Sequence, residues 1–105
     1  MYFQVGNTRG GEPAWWLYAD DNQMVAWAGE TFASSLDARR ACESFKAGAA
    51  SARYEIYADT GSQWRWRVWR SSDKVASSGE VFAGEYEAER AATSVRDNAG
   101  TATGP

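Results

Sequence analysis

Residues 62–70 read Ser-Gln-Trp-Arg-Trp-Arg-Val-Trp-Arg, with tryptophan and arginine alternating from Trp64 onward. Only a β-strand sorts this alternation into two faces, because successive strand side chains point to opposite sides. The two expected faces are Trp64, Trp66 and Val68 on one side, and Arg65, Arg67 and Trp69 on the other. Three tryptophans on one short strand predict a strand in the middle of a sheet, with one face covered by helix.

Length and composition predict one small domain, residues 1–105, with an aromatic core. The chain has 105 residues, of which 44% are hydrophobic, and it contains six tryptophans. A chain of this size can bury roughly two thirds of its unfolded surface. No stretch reaches the roughly 18 apolar residues of a membrane span, and residues 1–10 lack the features of a signal peptide. These observations predict a soluble, cytoplasmic protein.

An internal repeat relates the two halves of the chain, with an offset of 50 residues. It aligns Gly29-Glu30-Thr31-Phe32-Ala33 with Gly79-Glu80-Val81-Phe82-Ala83, and it also aligns Trp16 with Trp66. When one extra residue is allowed in the first copy, Phe3 also aligns with Tyr54. The repeat predicts two units, residues 2–49 and 53–99, followed by a short tail at residues 100–105 that is either frayed or a brief strand.

Each unit is predicted to contain three strands and one helix. The expected strands are residues 2–5, 14–19 and 24–28, and then residues 53–58, 63–70 and 74–78. The hydrophobic period then changes to that of a helix, with Ala38, Ala41, Cys42 and Phe45 on one face. Ser34, three residues before Asp37, indicates the first helix start. The predicted fold is α+β, with one antiparallel sheet, two helices on one face and pseudo-twofold symmetry.

With these features the sequence resembles the YegP-like family of small uncharacterised proteins. The resemblance is carried by the strand with its Trp-Arg-Trp-Arg run, the Gly-Glu-x-Phe segments and the alanine-rich helices, over about residues 2–49 and 53–99. It implies that two β-β-β-α units form one continuous sheet, exchange a terminal strand and place both helices on the same face. It implies no activity.

Nothing in the sequence indicates an active site, a metal site or a cofactor, and we predict a protein that is not an enzyme. The chain has no histidine, the commonest general base and metal ligand. Its single cysteine, Cys42, lies on the apolar helix stripe and is predicted to be an inert core thiol. The repeated carboxylates and arginines are predicted to have a structural role, as ion pairs between turn and helix or as caps, and not an acid/base role: Glu30 with Arg40, and Glu80 with Arg90.

The sheet face away from the helices is the candidate binding surface. If Trp16, Trp66 and Val68 point to the helices, a second set of residues points away from them. The predicted binding residues are Trp15, Leu17, Arg65, Arg67 and Trp69, with Tyr57 and Trp27 from neighbouring strands. Arginine over indole can simply stiffen a sheet. The same residue types can also bind a protein partner or stack single-stranded nucleic acid.

The overall charge favours a protein over nucleic acid as the partner. The chain carries 14 acidic and 11 basic residues, whereas nucleic-acid binding depends on neutralising phosphates. Because both units lie in one chain, we expect a monomer. Single-stranded nucleic acid stays the alternative ligand.

Overall fold

The computed structural model describes residues 1–105, in which six strands and two α-helices follow the predicted order. In chain order the elements are β1 (Tyr2–Asn7), β2 (Pro13–Tyr18), β3 (Met24–Trp27), α1 (Ser35–Gly48), β4 (Arg53–Ala58), β5 (Trp64–Arg70), β6 (Asp73–Ser78) and α2 (Glu85–Asn98). A short 3₁₀ helix (Ala99–Thr101) follows α2. The order β-β-β-α therefore occurs twice along the chain.

All six strands form one antiparallel sheet in the order β1-β2-β3-β6-β5-β4. The two three-stranded hairpin units meet in the centre, where Ala26 pairs with Ser78 and Trp27 pairs with Ser77. No strand of one unit is inserted into the other. The strand exchange implied by the family resemblance is therefore limited to a single β-bridge between the two halves of the chain. That bridge joins Thr103 of the C-terminal tail to Tyr2 of β1 in parallel orientation.

One hydrophobic core lies between the sheet and both helices. Trp15, Trp66, Phe45 and Val95 are fully buried members of the same cluster, although they come from two strands and two helices. The Trp15 indole stacks on Phe45 of α1, with ring centroids 5.0 Å apart. Because buried sheet residues from both halves face the same cluster, both helices cover the same side of the sheet. The predicted α+β architecture is confirmed, whereas the duplication and its pseudo-twofold symmetry stay predictions.

The sequence pattern assigned Trp15 and Trp16 to the wrong faces of β2. Trp15 and Leu17 are fully buried beneath the helices, and Trp16 is only half-buried and points away from them. The alignment of Trp16 with Trp66 assumed that the extra residue of the first copy lies before β2. A shift of one residue exchanges the two faces of a strand, so this single misplacement inverted the whole of β2.

The extra residue lies after β2, in its turn to β3. The β1–β2 and β4–β5 turns have equal length and the same backbone bonds, Thr8 N–H to Glu12 O and Asp59 N–H to Gln63 O. In the following turn Leu17 pairs with Ala26, whereas in the second half Val68 pairs with Ala76, one residue closer in sequence. The pairing of β1 with β2 therefore matches Trp15, and not Trp16, with Trp66.

Helix α1 begins where the sequence predicted. Ser34 Oγ accepts a hydrogen bond from the Asp37 N–H, which caps α1. The corresponding position before α2 is Gly84, which has no capping side chain. Neither helix is long and apolar enough to cross a membrane.

Candidate interaction surface on the outer sheet face

The face of the sheet opposite the helices, here called the outer face, carries no helix or long loop. Its central row crosses every strand, because each residue is the register partner of the next. From β1 to β4 this row is Gln4, Trp16, Trp27, Ser77, Arg67 and Glu55. The outer face is therefore one continuous surface built from both halves of the chain.

Six aromatic side chains lie on the outer face, and all of them are half-buried. They are Tyr2, Trp16, Tyr18, Trp27, Tyr57 and Trp69. Of the predicted binding residues, the structure brings Arg65, Arg67, Trp69, Tyr57 and Trp27 together on this face. Trp15 and Leu17 lie in the core and are not part of it, while Tyr2, Trp16 and Tyr18 are members that sequence reasoning missed.

The first half contributes an uncharged aromatic patch, formed by Tyr2, Trp16, Tyr18 and Trp27. Tyr2 and Tyr18 stack as cross-strand partners, with ring centroids 5.2 Å apart. The Trp16 ring lies over Gly6 of β1, where a Cβ atom would be 3.5 Å from it. A Cβ atom at that distance would make an ordinary van der Waals contact, so the indole lies directly against the β1 backbone.

The second half contributes an arginine–aromatic ladder, formed by Tyr57, Arg67, Trp69 and Arg53. The Arg67 guanidinium lies 4.3 Å from the Tyr57 ring centroid and 5.5 Å from that of Trp69. Arg53 lies 5.6 Å from the same tryptophan ring. Contacts of this kind stabilise exposed surfaces by about 0.5–1 kcal/mol each, and they order the side chains before any ligand arrives.

Glu55 forms hydrogen bonds with two members of this ladder, Arg67 and Trp69. Its Oε1 accepts hydrogen bonds from Arg67 Nε at 2.6 Å and from Trp69 Nε1 at 2.8 Å. Both bonds favour the ionised carboxylate, and the Arg67 bond is the larger reason that the pKa of Glu55 lies below its ordinary value. The carboxylate therefore orients an arginine and a tryptophan at the same time.

Arg65 also forms an ion pair with an acidic side chain, Asp59. Its Nε donates to Asp59 Oδ2 at 3.0 Å, and this bond is the main cause of a lowered pKa at Asp59. Backbone N–H groups of Gln63 and Gly61 bond to the other oxygen of the same carboxylate. Both arginines of the predicted site are therefore neutralised within the protein.

Two further cations on the outer face have no acidic partner. Arg53 and Lys74 are the register partners of Trp69 on its two sides, and neither takes part in an ion pair. Trp69 is thus an aromatic side chain flanked by two unpaired positive charges. The result is a locally cationic area on a chain whose net charge is −3.

The predicted ion pairs between turn and helix do not form. Glu80 instead accepts a hydrogen bond from Gln23 Nε2 at 3.3 Å, and the Arg90 guanidinium lies 5.8 Å from the Tyr86 ring centroid. Glu30 and Arg40 make no ion pair. The recurrence of these residues in both halves therefore did not identify a contact, because equal spacing along the chain does not fix where long side chains point.

Cys42 lies in the core, as its place on the helix stripe predicted. The residue is fully buried between α1 and the sheet, and burial raises the pKa of its thiol to about 12. A thiol in that state is a poor nucleophile, since the thiolate is the reactive form. No group of three or more Cys, Asp or Glu side chains is arranged to hold a metal ion.

Comparison with known proteins shows the fold. The chain is similar to yegP from E. coli, a protein of unknown function, with a TM-score of 0.80 and 16% sequence identity over 97% of this chain and 88% of the other. It is similar to a UPF0339 protein from Shewanella oneidensis, with a TM-score of 0.81 and 14% identity over 97% of this chain and 86% of the other. The chain has the fold of YegP-like proteins. No protein-family model and no curated protein matches its sequence.

The fold likeness confirms the resemblance inferred from the Trp-Arg-Trp-Arg strand and the alanine-rich helices. Since the YegP-like structure from E. coli is that of a protein of unknown function, the likeness carries no activity with it.

Proposed function

We propose that this protein works by binding a protein partner through its outer face, and that it is not an enzyme. The observation that carries the proposal is the continuous, uncovered sheet face with six half-buried aromatic side chains. Contiguous apolar and aromatic side chains on a surface that no helix covers are typical of interaction sites. Tryptophan, tyrosine and arginine are also the residues that carry most binding energy in protein interfaces.

The charges favour a protein partner over single-stranded nucleic acid. Nucleic-acid affinity depends on cations that are free to replace counterions at phosphates. Arg65 and Arg67 are engaged by Asp59 and Glu55, so they offer little charge to a phosphate. An aromatic surface in which two of the three arginines are neutralised internally instead suits a partner that buries apolar area and makes few new ion pairs.

The unpaired cations next to Trp69 suggest the chemistry of the contact. A partner segment that covers Trp69 would meet Arg53 on one side and Lys74 on the other. An acidic residue beside an apolar or aromatic one would satisfy both features. The partner that we propose is therefore a protein surface with apolar residues and at least one carboxylate.

A photo-crosslinking experiment tests the location of the surface. A photoreactive amino acid at position 27, on the outer face, should capture a partner from cell extract that the same group at position 86 does not capture. Tyr86 is the matched control, because it is an aromatic side chain on the helix side with 66% exposure. Equal capture at both positions would contradict the proposal.

The captured partner, once purified, allows a quantitative test. Trp16→Ala and Trp27→Ala remove aromatic area without breaking any hydrogen bond of the Glu55 network, and each should weaken binding about tenfold or more. Tyr86→Ala should leave the affinity unchanged. Titration with a single-stranded oligonucleotide at two salt concentrations tests the alternative, since tight binding that falls steeply with salt would favour nucleic acid.

A further inference from the structure

The chain fills a groove beside β1 with its own C-terminal tail. Phe3 N–H donates to Thr103 O at 2.8 Å, and Thr103 N–H donates to Met1 O at 3.2 Å. Thr103 thus lies parallel to β1 as a one-residue strand on its outer edge. The tail covers backbone groups that the edge strand would otherwise expose.

Helix α1 forms the other wall of this filled groove. Lys46 Nζ donates to Gly104 O at 2.9 Å, and Arg39 donates to Pro105 O at 3.4 Å. Gly104 has a φ of +73°, and a Cβ atom there would lie 2.9 Å from Phe3 O. The groove therefore accepts an extended segment with a very small residue against the strand, and holds its end with cations from the helix.

The opposite edge of the sheet, β4, has no such cover. Trp64 exchanges both backbone hydrogen bonds with Phe82 on the β6 side, at 2.8 Å each. Since backbone groups alternate along a strand, the N–H and C=O groups of Arg65 and Arg67 point to β4 and bond to it. In β4 itself, the groups of Tyr54 and Ile56 then point outward, and no backbone partner meets them.

A groove of about 210 Å³ lies between this free edge and α2. Its lining residues are Tyr54, Ile56, Glu89, Ala92, Thr93 and Arg96. Tyr54 takes the position on β4 that Phe3 takes on β1, since Phe3 pairs with Leu17 and Tyr54 pairs with Val68. The groove is thus the counterpart of the one that the tail fills, and it is open.

The helix walls of the two grooves are alike at one position and opposite in charge at another. Arg96 is the third residue from the end of α2, as Lys46 is in α1. Its Nε lies 3.6 Å from Asp97 Oδ1, and its terminal N–H groups remain as donors for a carbonyl of a bound segment. Glu89 is the fifth residue of α2, where α1 has Arg39. In the filled groove Arg39 donates to the carbonyl oxygen of Pro105. An acidic residue there suits a positively charged residue instead.

We propose that the β4–α2 groove binds an extended segment of another protein. The segment adds to β4 in parallel orientation, as the tail adds to β1, and its main chain bonds to Tyr54 N–H. It carries small residues of the Ala-Thr-Gly type against the strand. A lysine or arginine follows them and pairs with Glu89, while Arg96 holds a carbonyl. This site lies on the sheet edge and helix side, so it is separate from the outer face.

Synthetic peptides can test the site on the intact protein. The first probe is Gly-Thr-Ala-Thr-Gly-Lys with an amidated end, and the second is Gly-Thr-Ala-Thr-Gly-Pro with a free carboxylate, which copies residues 100–105. Amide chemical shifts of the isotope-labelled protein are followed up to millimolar peptide. We expect the lysine peptide to shift Tyr54, Ile56 and Arg96, and to bind more tightly than the proline peptide.

Charge variants give the matched controls. Glu89→Arg should reverse the preference between the two peptides, with a change of roughly threefold or more for each. Arg96→Ala should weaken binding of the lysine peptide, whereas Lys46→Ala, in the filled groove, should not. Trp16→Ala on the outer face should also leave peptide binding unchanged, which separates this site from the proposed partner surface.

Three results would overturn the proposal. The first is the absence of shifts at Tyr54 and Ile56 with either peptide. The second is a set of shifts centred on Phe3 and Lys46, because the probe would then have replaced the tail. The third is a peptide preference that Glu89→Arg does not change.

Discussion

Arg67 Nε donates to Glu55 Oε1 across 2.6 Å, joining β5 to the edge strand β4 on the outer face. The same carboxylate oxygen accepts the indole N–H of Trp69. One acidic residue therefore orients both Trp69 and Arg67 on the outer face of the second half. This arrangement makes the ladder sensitive to pH and to the loss of a single charge.

The first prediction concerns the titration of Glu55. The hydrogen bond from Arg67, followed by that from Trp69, lowers the pKa of Glu55 in the folded state. A lowered folded-state pKa contributes stability that is present above the unfolded value and is lost as the pH falls through the folded one. We expect this contribution to start falling once the pH drops below the ordinary glutamate pKa of about 4.3, and to be lost below the lowered folded-state pKa. Carboxyl chemical shifts should show the lowered pKa in the wild type, and Arg67→Ala should return it toward the ordinary value.

Glu55→Gln supplies the control for that titration. It keeps an oxygen acceptor near the Trp69 indole but removes the charge that Arg67 needs. Unfolding measured against pH should lose the part of its acid dependence that belongs to this residue. An unchanged acid dependence in Glu55→Gln would show that the bond is not maintained in solution.

The second prediction separates the core tryptophans from the outer ones. Trp15 and Trp66 are fully buried, so replacing either with alanine should cost about 3–5 kcal/mol of unfolding free energy. Trp16 is half-buried on the outer face, and its replacement should cost clearly less. Denaturant unfolding of Trp15→Ala beside Trp16→Ala checks this order. A larger loss for Trp16→Ala would contradict the register of β2.

Trp69→Ala with Arg67→Ala extends the same comparison to the second half. Neither side chain lies under the helices, so the double variant should lose only cross-strand and strand-propensity contributions, about 0.2–1 kcal/mol each. If it unfolds as readily as Trp66→Ala, the ladder serves the fold and the binding proposal for this half fails.

The third prediction concerns the reactivity of Cys42. Burial raises the pKa of this thiol to about 12, so almost no thiolate forms in the folded protein near neutral pH. A thiol-specific reagent should therefore label the native protein far more slowly than the denatured protein. Rapid labelling of the native state would show that α1 opens from the sheet.

The fourth prediction concerns residues with positive φ in the hairpin turns. Gly11 has a φ of +83°, and Ser62 has a φ of +63° in the turn between β4 and β5. Side chains other than glycine are disfavoured there by about 1 kcal/mol. Ser62→Gly should thus stabilise the protein by up to about 1 kcal/mol, while Gly11→Ala should destabilise it by a similar amount. Thermal unfolding of the two variants measures both effects.

The sequence by itself determined the kind and order of the elements. Alternation of tryptophan and arginine identified β5, and the spacing of Ala38, Cys42 and Phe45 identified α1 with its buried face. These are local properties, because a side chain's face follows from the period of the element that carries it. The same reasoning correctly placed Cys42 in the core and the outer residues of β5 on one surface.

Only the tertiary structure decided which face of β2 is buried. The position of the extra residue in the first half depends on how β2 pairs with β3, and a shift of one residue exchanges Trp15 with Trp16. In the folded chain the β1–β2 and β4–β5 turns have equal length, so the extra residue lies between β2 and β3. The aromatic patch of the first half was missed for this reason.

The contacts of long charged side chains also came only from the fold. The sequence predicted pairs of Glu30 with Arg40 and of Glu80 with Arg90, whereas the structure pairs Arg67 with Glu55 across two strands. Such pairs depend on strand register and side-chain rotamers, and exposed ion pairs contribute too little energy to impose either. The open groove beside β4 is likewise a property of the assembled sheet. It lies between β4 and α2, which come together only in the folded chain.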